Sequence, residues 1–403
     1  MLWGGEELQR FHMEDQFERL VQITKLPYAT TLLGKSVVSE SNDYFIGVYD
    51  SKWAPEDTAH VVEGADCLIA LGTIPTDFYG YIIGKSYDRM VLAAGNAVRI
   101  GRAIYPNVPL DRLMIALVAE LEANNRGQST MLADTAATAS KRPQHTAPPG
   151  FKAARRVDKH QQIIKPLVAE GPERQSSLAA DTAAALTSSP QITWESFFRR
   201  MHEFVDENAF VLANTTLGLF PAAELLIPKR SHFLAQAAWL SIGYAIGAVV
   251  GVSLLLPQEE RAVVFAGDGG FQMIAQAFST LMRHKRRDII FVFDNQLYAI
   301  EQFLVDRTYY QDTQKKPVFF NELPPWDYMK LAEAFGGKGY TAATNAELDD
   351  ALAAAWALTD IPALIAIKID PRLLPPELDQ ALRPAAAALT VPKPTGFAPT
   401  GFN

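Results

Sequence analysis

The chain has 403 residues, 48% of them hydrophobic and 20% charged, with a formal net charge of −8. That is room for two or three packed domains of ordinary globular composition. The acidic balance leaves no electrostatic footprint for nucleic acid, and one cysteine excludes an intrachain disulfide framework or a thiolate metal cluster, so a small-molecule enzyme is the expectation.

The N-terminus, "MLWGGEELQRFHMEDQ", is acidic and lacks the charged-then-apolar pattern of an export signal, which predicts a cytoplasmic protein. "LWGG" reads as a strand that exposes one edge of its sheet. "EDQFERLVQITK" has helical spacing. "DCLIALG" and "RMVLAAGN" are short apolar runs ending in glycine or beside it, as buried parallel strands do, and Cys67 in the first is expected in the core. "PLDRLMIALVAELEANN" is an amphipathic helix ending in polar residues. Residues 1–126 therefore read as an α/β layer. Residues 127–190 are rich in Ala, Thr, Ser and Pro and read as a partly disordered linker, with Lys152, Arg155, Arg156 and Lys159 as a solvated charge run.

The α/β pattern returns at 191. "TWESFFRRMHEFVDE" is a helix with Thr193 as N-cap, and "AFVLAN" is a strand. Residues 233–256 carry no charge and are long enough to cross a bilayer. Gln236, Ser241, Tyr244 and Ser253 interrupt them, and the spacing of Gly243, Gly247 and Gly251 predicts one buried helix packed through a glycine stripe, with no membrane partner. "RAVVFAG", "GFQMIAQAFSTLMRHKRR" and "DIIFVFDN" form a strand–helix–strand unit, with Arg283 to Arg287 suiting the negative end of the helix dipole. "WDYMKLAEAFGGKGY" and "NAELDDALAAAWALTD" add helices, and "ALIAIKID" adds a strand. Residues 381–403 are an Ala/Pro-rich tail.

The chemistry sits at two strand ends. Asp268 lies just past the first strand of that unit and Asn295 just past the second. A right-handed parallel crossover brings both ends to one edge of the sheet, where open α/β folds bind ligands. Gly269 and Gly270 open the helix and leave N–H groups free for an anion. A carboxylate, an amide oxygen, main-chain carbonyls and phosphate oxygens make a Mg²⁺ site of the kind that bridges to a bound diphosphate. A rival exists in "ATTLLGKS" (29–36), a loose phosphate loop with Ala29 at its first glycine, paired with Asp294. The stretch after Lys35-Ser36 is β-branched and turn-rich, which is poor context for the helix such a loop needs.

"GDGGFQMIAQAFSTLMR…DIIFVFDNQLYAIEQF" resembles the GDG-to-Asn motif of thiamine diphosphate enzymes, specifically the pyruvate/indolepyruvate decarboxylase family of 2-oxo acid decarboxylases. "LPYATTLLGKSVVSESNDYFIGVYDS" resembles that family's central domain. The similarity covers about 2–126 and 191–380. It implies an α/β chain of two parallel-sheet three-layer domains, a central domain (1–126) and a thiamine diphosphate-binding domain (191–380), joined by the 127–190 linker. It also implies a 2-oxo acid substrate decarboxylated to an aldehyde and CO2, with thiamine diphosphate and Mg²⁺ as cofactors.

Carried over by position, Asp268, Asn295 and the carbonyl of Leu297 would hold Mg²⁺. Gly267, Gly269, Gly270 and Ile300 would approach the diphosphate through their backbones, with Thr216 beside them. Ile242 would wedge the cofactor into a bent shape, and the carbonyl of Leu240 would receive its aminopyrimidine. Glu301 would be the active-site glutamate, and a carboxyl there could shuttle a proton once CO2 departs. Ile300, Leu304 and Trp239 suggest an apolar substrate pocket. Asp294, Gly270, Leu297 and the turn "NTTLGLF" depart from the family's usual residues. The resemblance begins inside the family's central domain, and no position matches the N-terminal pyrimidine-binding domain with its glutamate and histidine pair, since His12 and His60 fall in the wrong domain. A longer gene product, a separate pyrimidine-domain polypeptide or a non-catalytic cofactor-binding remnant would each account for this. The complete protein is expected to form homo-oligomers. An acetolactate synthase-like carboligase is the neighbouring alternative, although those enzymes commonly lack a glutamate at the position of Glu301.

Overall fold

In the computed structural model, residues 1–76, 79–134, 191–380 and 382 are described. The expected linker and tail lie almost wholly outside these residues. The first sheet contains β1 (Leu2–Gly4), β2 (Tyr28–Thr30), β3 (Phe45–Val48), β4 (Leu68–Leu71), β5 (Met90–Ala94), β6 (Ala97–Ile100) and β7 (Ala103–Pro106). Its order is β3-β2-β1-β4-β5-β6-β7, parallel as far as β5 and antiparallel beyond it. The "LWGG" strand thus lies mid-sheet with both edges paired, to β2 and β4, and exposes neither.

The second sheet contains β8 (Ala209–Ala213), β9 (Phe233–Ala235), β10 (Arg261–Gly267), β11 (Ile289–Asp294), β12 (Lys338–Ala342) and β13 (Ala363–Lys368). Its order is β12-β13-β11-β10-β8-β9, and every pairing is parallel. Strand side chains alternate between faces, and the packing follows. Val263, Phe265, Ile289, Phe291 and Phe293 join one core, which includes Phe197 of helix Trp194–Phe204. Ala262, Val264, Ala266, Ile290 and Val292 join another, with Ile246 and Val249 of helix Tyr244–Leu255. Apolar side chains on both faces explain why β10 and β11 read as continuous hydrophobic runs. Thr193 caps its helix in a reciprocal capping box with Ser196.

Several expectations are corrected. Residues 233–256 do not form one buried helix. Phe233–Ala235 is the edge strand β9, and the helix starts only at Tyr244, after Leu240 (φ +50°) and Gly243 (φ +90°) have turned the chain through left-handed conformations that no right-handed helix contains. The glycine stripe is not a packing seam. A Cβ on Gly247 would touch only Ile274, and one on Gly251 would meet nothing. Trp239, Leu254 and Leu255 are exposed. No helix among the described residues is long and apolar enough to cross a membrane. The helix predicted from 270 breaks between Gln272 and Ala277, where i→i+3 bonds such as Ile274 N–H to the Phe271 carbonyl tighten the winding. Cys67 is exposed because it precedes the first residue of β4. Arg286 does not serve the helix dipole: it is buried, donating to Ser253 Oγ, which donates to Asp288.

The two domains meet through buried polar contacts. Lys35 Nζ donates to both Glu40 oxygens (2.8 and 2.7 Å) and across the interface to the Leu225 carbonyl (2.7 Å). Glu40 accepts from Ile227 N–H, and its own N–H donates to the Ile227 carbonyl. Lys35 is therefore committed to an interdomain clamp, which removes the phosphate-loop reading. Trp53 packs on Phe220 with ring centroids 5.3 Å apart.

Beside this interface, helix Pro376–Gln380 carries Glu377, whose Oε2 is buried without a partner among the described residues. Burial, reinforced by the like charges of Glu224 and Glu195, pushes its carboxyl up to about 7 from about 4.5 in the unfolded chain. A raised folded-state value gives a contribution complete below about 4.5 and lost as pH rises through about 7. Glu377→Gln should therefore raise stability by about 2 kcal/mol at pH 8 and far less at pH 5. Scanning calorimetry at the two pH values checks this, and equal shifts at both would contradict it.

Candidate functional site

The site is built where β10 and β11 end in register, Gly267 opposite Phe293. Asp268 is buried there. One carboxylate oxygen accepts from Gly269 N–H (2.8 Å), the other from Asn295 N–H (3.1 Å) and Gln296 N–H (2.6 Å). The two residues expected to converge are thus joined across the strand ends. Burial pushes the Asp268 carboxyl up to about 7, and the neighbouring Asp294 adds to this against the lowering effect of the three N–H groups. Asp294 is itself ion-paired to Lys368.

The chain then turns sharply, with Gln296 at φ +57°. Asn295 Oδ1 accepts from Leu297 N–H (3.1 Å), and the Leu297 carbonyl accepts from Ala299 N–H (2.7 Å). The Asp268 carboxylate beside this turn, with the turn's own amide oxygen and carbonyl, makes the all-oxygen donor set a hard cation takes. Among the described residues no three His, Cys, Asp or Glu side chains cluster as a metal site. A cation here would have to complete its shell with ligand oxygens.

Glycine is required at both positions that open helix Asp268–Gln272. A Cβ on Gly269 would lie 2.2 Å from the Tyr298 ring, and one on Gly270 2.2 Å from Asn214 Nδ2. Asn214, at the end of β8, went unrecognised in the sequence. Its Oδ1 accepts from Gly243 N–H (3.1 Å), while its Nδ2 is buried with no partner among the described residues. The neighbouring Thr215 hydroxyl is likewise unpartnered. Two unmet donors beside a glycine-opened helix start fit an anionic group such as a diphosphate. The only sequence signal was a polar amide terminating the apolar run "AFVLAN", and its meaning depends on β8 lying next to β10.

The remaining residues gather nearby. The Thr216 hydroxyl lies 3.1 Å from where a Cβ on Gly267 would sit, and Ile242 Cγ2 lies 3.5 Å from the same point on Gly270. Leu240 holds its left-handed backbone at the wall of a cavity of ≈ 700 Å³, counting its open mouth, between the two domains. Thr215, Thr216, Leu240, Ile300 and Leu304 line it from one side. Asp50, Trp53, Thr76 and Tyr79 line it from the other. Trp239, expected at a pocket, is 84% exposed and does not line this one. Glu301 sits in the first turn of helix Ala299–Val305, half-buried, next to the lining Ile300 but not itself on the wall.

Known proteins carry the same two units. The description "Thiamine pyrophosphate enzyme, C-terminal TPP binding domain" matches residues 218–367, and "Thiamine pyrophosphate enzyme, central domain" matches residues 1–121. The chain is 24% identical over 353 residues to a pyruvate decarboxylase of Candida albicans, covering 85% of this chain and 53% of that protein. It is 23% identical over 350 residues to pyruvate decarboxylase isozyme 1 of Saccharomyces cerevisiae, covering 84% and 53%. A pyruvate decarboxylase of Candida glabrata is 24% identical over 348 residues, covering 84% and 52%. The chain spans about half the length of the curated relatives it matches. With both domain types matched in order, and the expected carboxylate and asparagine joined at the strand ends of the second, the chain belongs to the thiamine pyrophosphate enzymes.

Proposed function

We propose that the chain carries the magnesium- and diphosphate-binding half of a thiamine diphosphate-dependent 2-oxo acid decarboxylase, which releases CO2 and an aldehyde. The observation that carries this reading is Asp268 bridging the β10 and β11 ends, beside the unmet donors of Asn214 and Thr215. Asp268, Asn295 and the Leu297 carbonyl would hold Mg²⁺. The main chain of Gly267, Gly269, Gly270 and Ile300, with the Thr216 hydroxyl, would face the diphosphate. Ile242 would set the cofactor's bend against Gly270, and the Leu240 carbonyl would accept from the aminopyrimidine. The two working units would be 1–126 and 191–380, acting in the cytoplasm.

Thiamine diphosphate, when bound, supplies the electron sink for loss of CO2. The chain's own part is to hold the substrate in a largely apolar cavity and to deliver a proton from Glu301 to the carbon that CO2 leaves. Trp239, Leu255 and Met273 are each more than half exposed, which supports their being covered by a second polypeptide, either another copy or a separate pyrimidine-domain subunit.

In a preparation that decarboxylates a 2-oxo acid, Glu301→Gln should slow aldehyde release by about 10²–10⁴-fold while leaving cofactor binding intact. Unchanged decarboxylation kinetics on a panel of 2-oxo acids would remove the assigned role. A condensed carboligation product in place of aldehyde would favour the carboligase alternative.

A further inference from the structure

Glu301 rides on a helix that is held from its far side by contacts the decarboxylase reading leaves unused. Helix Ala299–Val305 turns Ile300, Phe303 and Leu304 to the cavity wall. At about 100° per residue, Gln302 falls on the opposite face. It is wholly buried. A buried amide needs partners at both ends, and Gln302 has them. Its Oε1 accepts from Val318 N–H (2.8 Å) and from Asn321 Nδ2 (3.1 Å). Its Nε2 donates to the Asp306 carbonyl, one residue past the helix end (3.0 Å).

Both donors to Oε1 lie where the chain returns past the helix, at the 3-10 turn Phe319–Asn321 and just before it. Asn321 is buried and works in two directions. Its side chain meets Gln302, and its carbonyl accepts from the N–H of Tyr298, the residue before the helix (2.8 Å). Beside it, Leu297 and Glu322 form an isolated bridge, and Leu323 N–H donates to the Gln296 carbonyl (2.9 Å). Segment 318–323 thus ties the turn that carries the cation donors to the helix that carries Glu301. A further tie comes from Tyr310, whose hydroxyl donates to the Ala299 carbonyl (2.7 Å). Tyr310 ends the 3-10 turn Arg307–Tyr310. Arg372 holds this stretch by donating to the carbonyls of Tyr309, Asp312 and Lys315, with its guanidinium 4.2 Å from the Tyr309 ring centroid. The chain is therefore fixed at 298, 299 and 302, on both sides of Glu301. Hydrogen bonds are directional, so these ties set the rotation and register of the helix as well as its distance from the turn.

We propose that Gln302, assisted by Tyr310, is the positioning residue of Glu301, fixing the rotation of its helix so that the carboxyl stands at a set distance from the cation-binding turn. Gln302 faces away from the cavity and acts only through its neighbour. The inference rests on the role proposed for Glu301. It goes beyond that role in assigning what aims the carboxyl.

The test is a double-mutant cycle in a preparation that decarboxylates a 2-oxo acid. Gln302→Met keeps the side chain close to its length and removes its hydrogen bonds. A misplacement of about 1 Å can cost about 10²-fold, so kcat should fall by about 10- to 100-fold, with the affinity for thiamine diphosphate and Mg²⁺ within about threefold of wild type. In a Glu301→Gln background the same substitution should cost less than about threefold, because no carboxyl is left to aim. An unchanged kcat for Gln302→Met, or an equal loss in both backgrounds, would overturn the proposal. Tyr310→Phe deletes a single hydroxyl and keeps the test decisive should Gln302→Met not fold. It should lower kcat by about 3- to 10-fold, again only where Glu301 is present, and no loss or an equal loss in both backgrounds counts against the proposal. Amide exchange reads the anchoring without turnover. Exchange over 299–305 should quicken by about 10-fold or more in Gln302→Met while β10 and β11 keep their protection, and unaltered exchange would overturn the anchor. The two levels separate: wild-type rates in Glu301→Gln count against the role of Glu301, whereas slow Glu301→Gln turnover with an unaffected Gln302→Met protein counts against the positioning residue alone.

Discussion

Replacing Asp268 with alanine should abolish Mg²⁺-dependent retention of thiamine diphosphate. Among the described residues at these strand ends, the Asp268 carboxylate is the one left free of an ion pair, because Asp294 next to it is paired with Lys368. Altering even the outer partners of metal ligands commonly costs 10–100-fold in affinity, so losing the ligand itself should cost at least about 100-fold. The substitution also strips the acceptor from three N–H groups, on Gly269, Asn295 and Gln296. The Gly269 N–H is buried, and leaving it unmet costs about 1–3 kcal/mol, so part of the effect would fall on the fold. Asp268→Asn separates the two contributions, since it keeps the shape and one oxygen acceptor while removing the charge. Cofactor content after dialysis, together with calorimetric titration in Mg²⁺ and in chelator, reads the outcome. A folded Asp268→Asn protein that holds the cofactor as tightly as wild type, in Mg²⁺ and after chelation alike, would sink the metal assignment.

The second large effect is expected far from the chemistry, at the clamp between domains. Lys35 and Glu40 are each almost wholly buried, their side chains 1% exposed. Their charges are matched to each other, and the spare hydrogen-bonding capacity goes to the Leu225 carbonyl and the Ile227 N–H of the other domain. Lys35→Met leaves the Glu40 carboxylate buried without its cation and should destabilise the chain by about 3–5 kcal/mol. The pair itself is worth much less than that, because both ions were desolvated to form it. A Lys35→Met/Glu40→Leu double variant should therefore recover much of the loss. Denaturant midpoints for the single and double variants measure this. A single variant within about 1 kcal/mol of wild type would mean that the interface tolerates the lone carboxylate.

How much of this could be read in the sequence depended on how local each feature is. β10 and β11 were legible because burial on both faces writes an unbroken apolar run, and the handedness of the crossover then places Asp268 beside Asn295. The strand β9 was hidden inside an uncharged stretch, because an apolar strand, a loop and an apolar helix share one composition and only the backbone at Leu240 and Gly243 separates them. The sequence reading "WDYMKLAEAFGGKGY" runs one helix through Lys338–Tyr340, but the helix stops at Ala334 and Lys338–Ala342 is the edge strand β12, whose partly exposed residues write no apolar run. The residues of β1 spell out a strand but not its place mid-sheet, since strand order is a long-range property that three residues cannot encode. Asn214 and Gln302 were missed for the same reason. The first matters only because β8 borders β10, and the second only because the chain returns at Asn321 to meet it.

The three main-chain amides that tether Asp268, and the bond from Leu297 N–H that fixes the Asn295 oxygen, mean that both side-chain oxygens are oriented before any ion arrives. Such preorganisation forfeits little rotamer entropy on capture. The speed of assembly should then be set by how reluctantly the incoming ion sheds its water, a slow step for a small divalent cation, and very little by rearrangement of the protein.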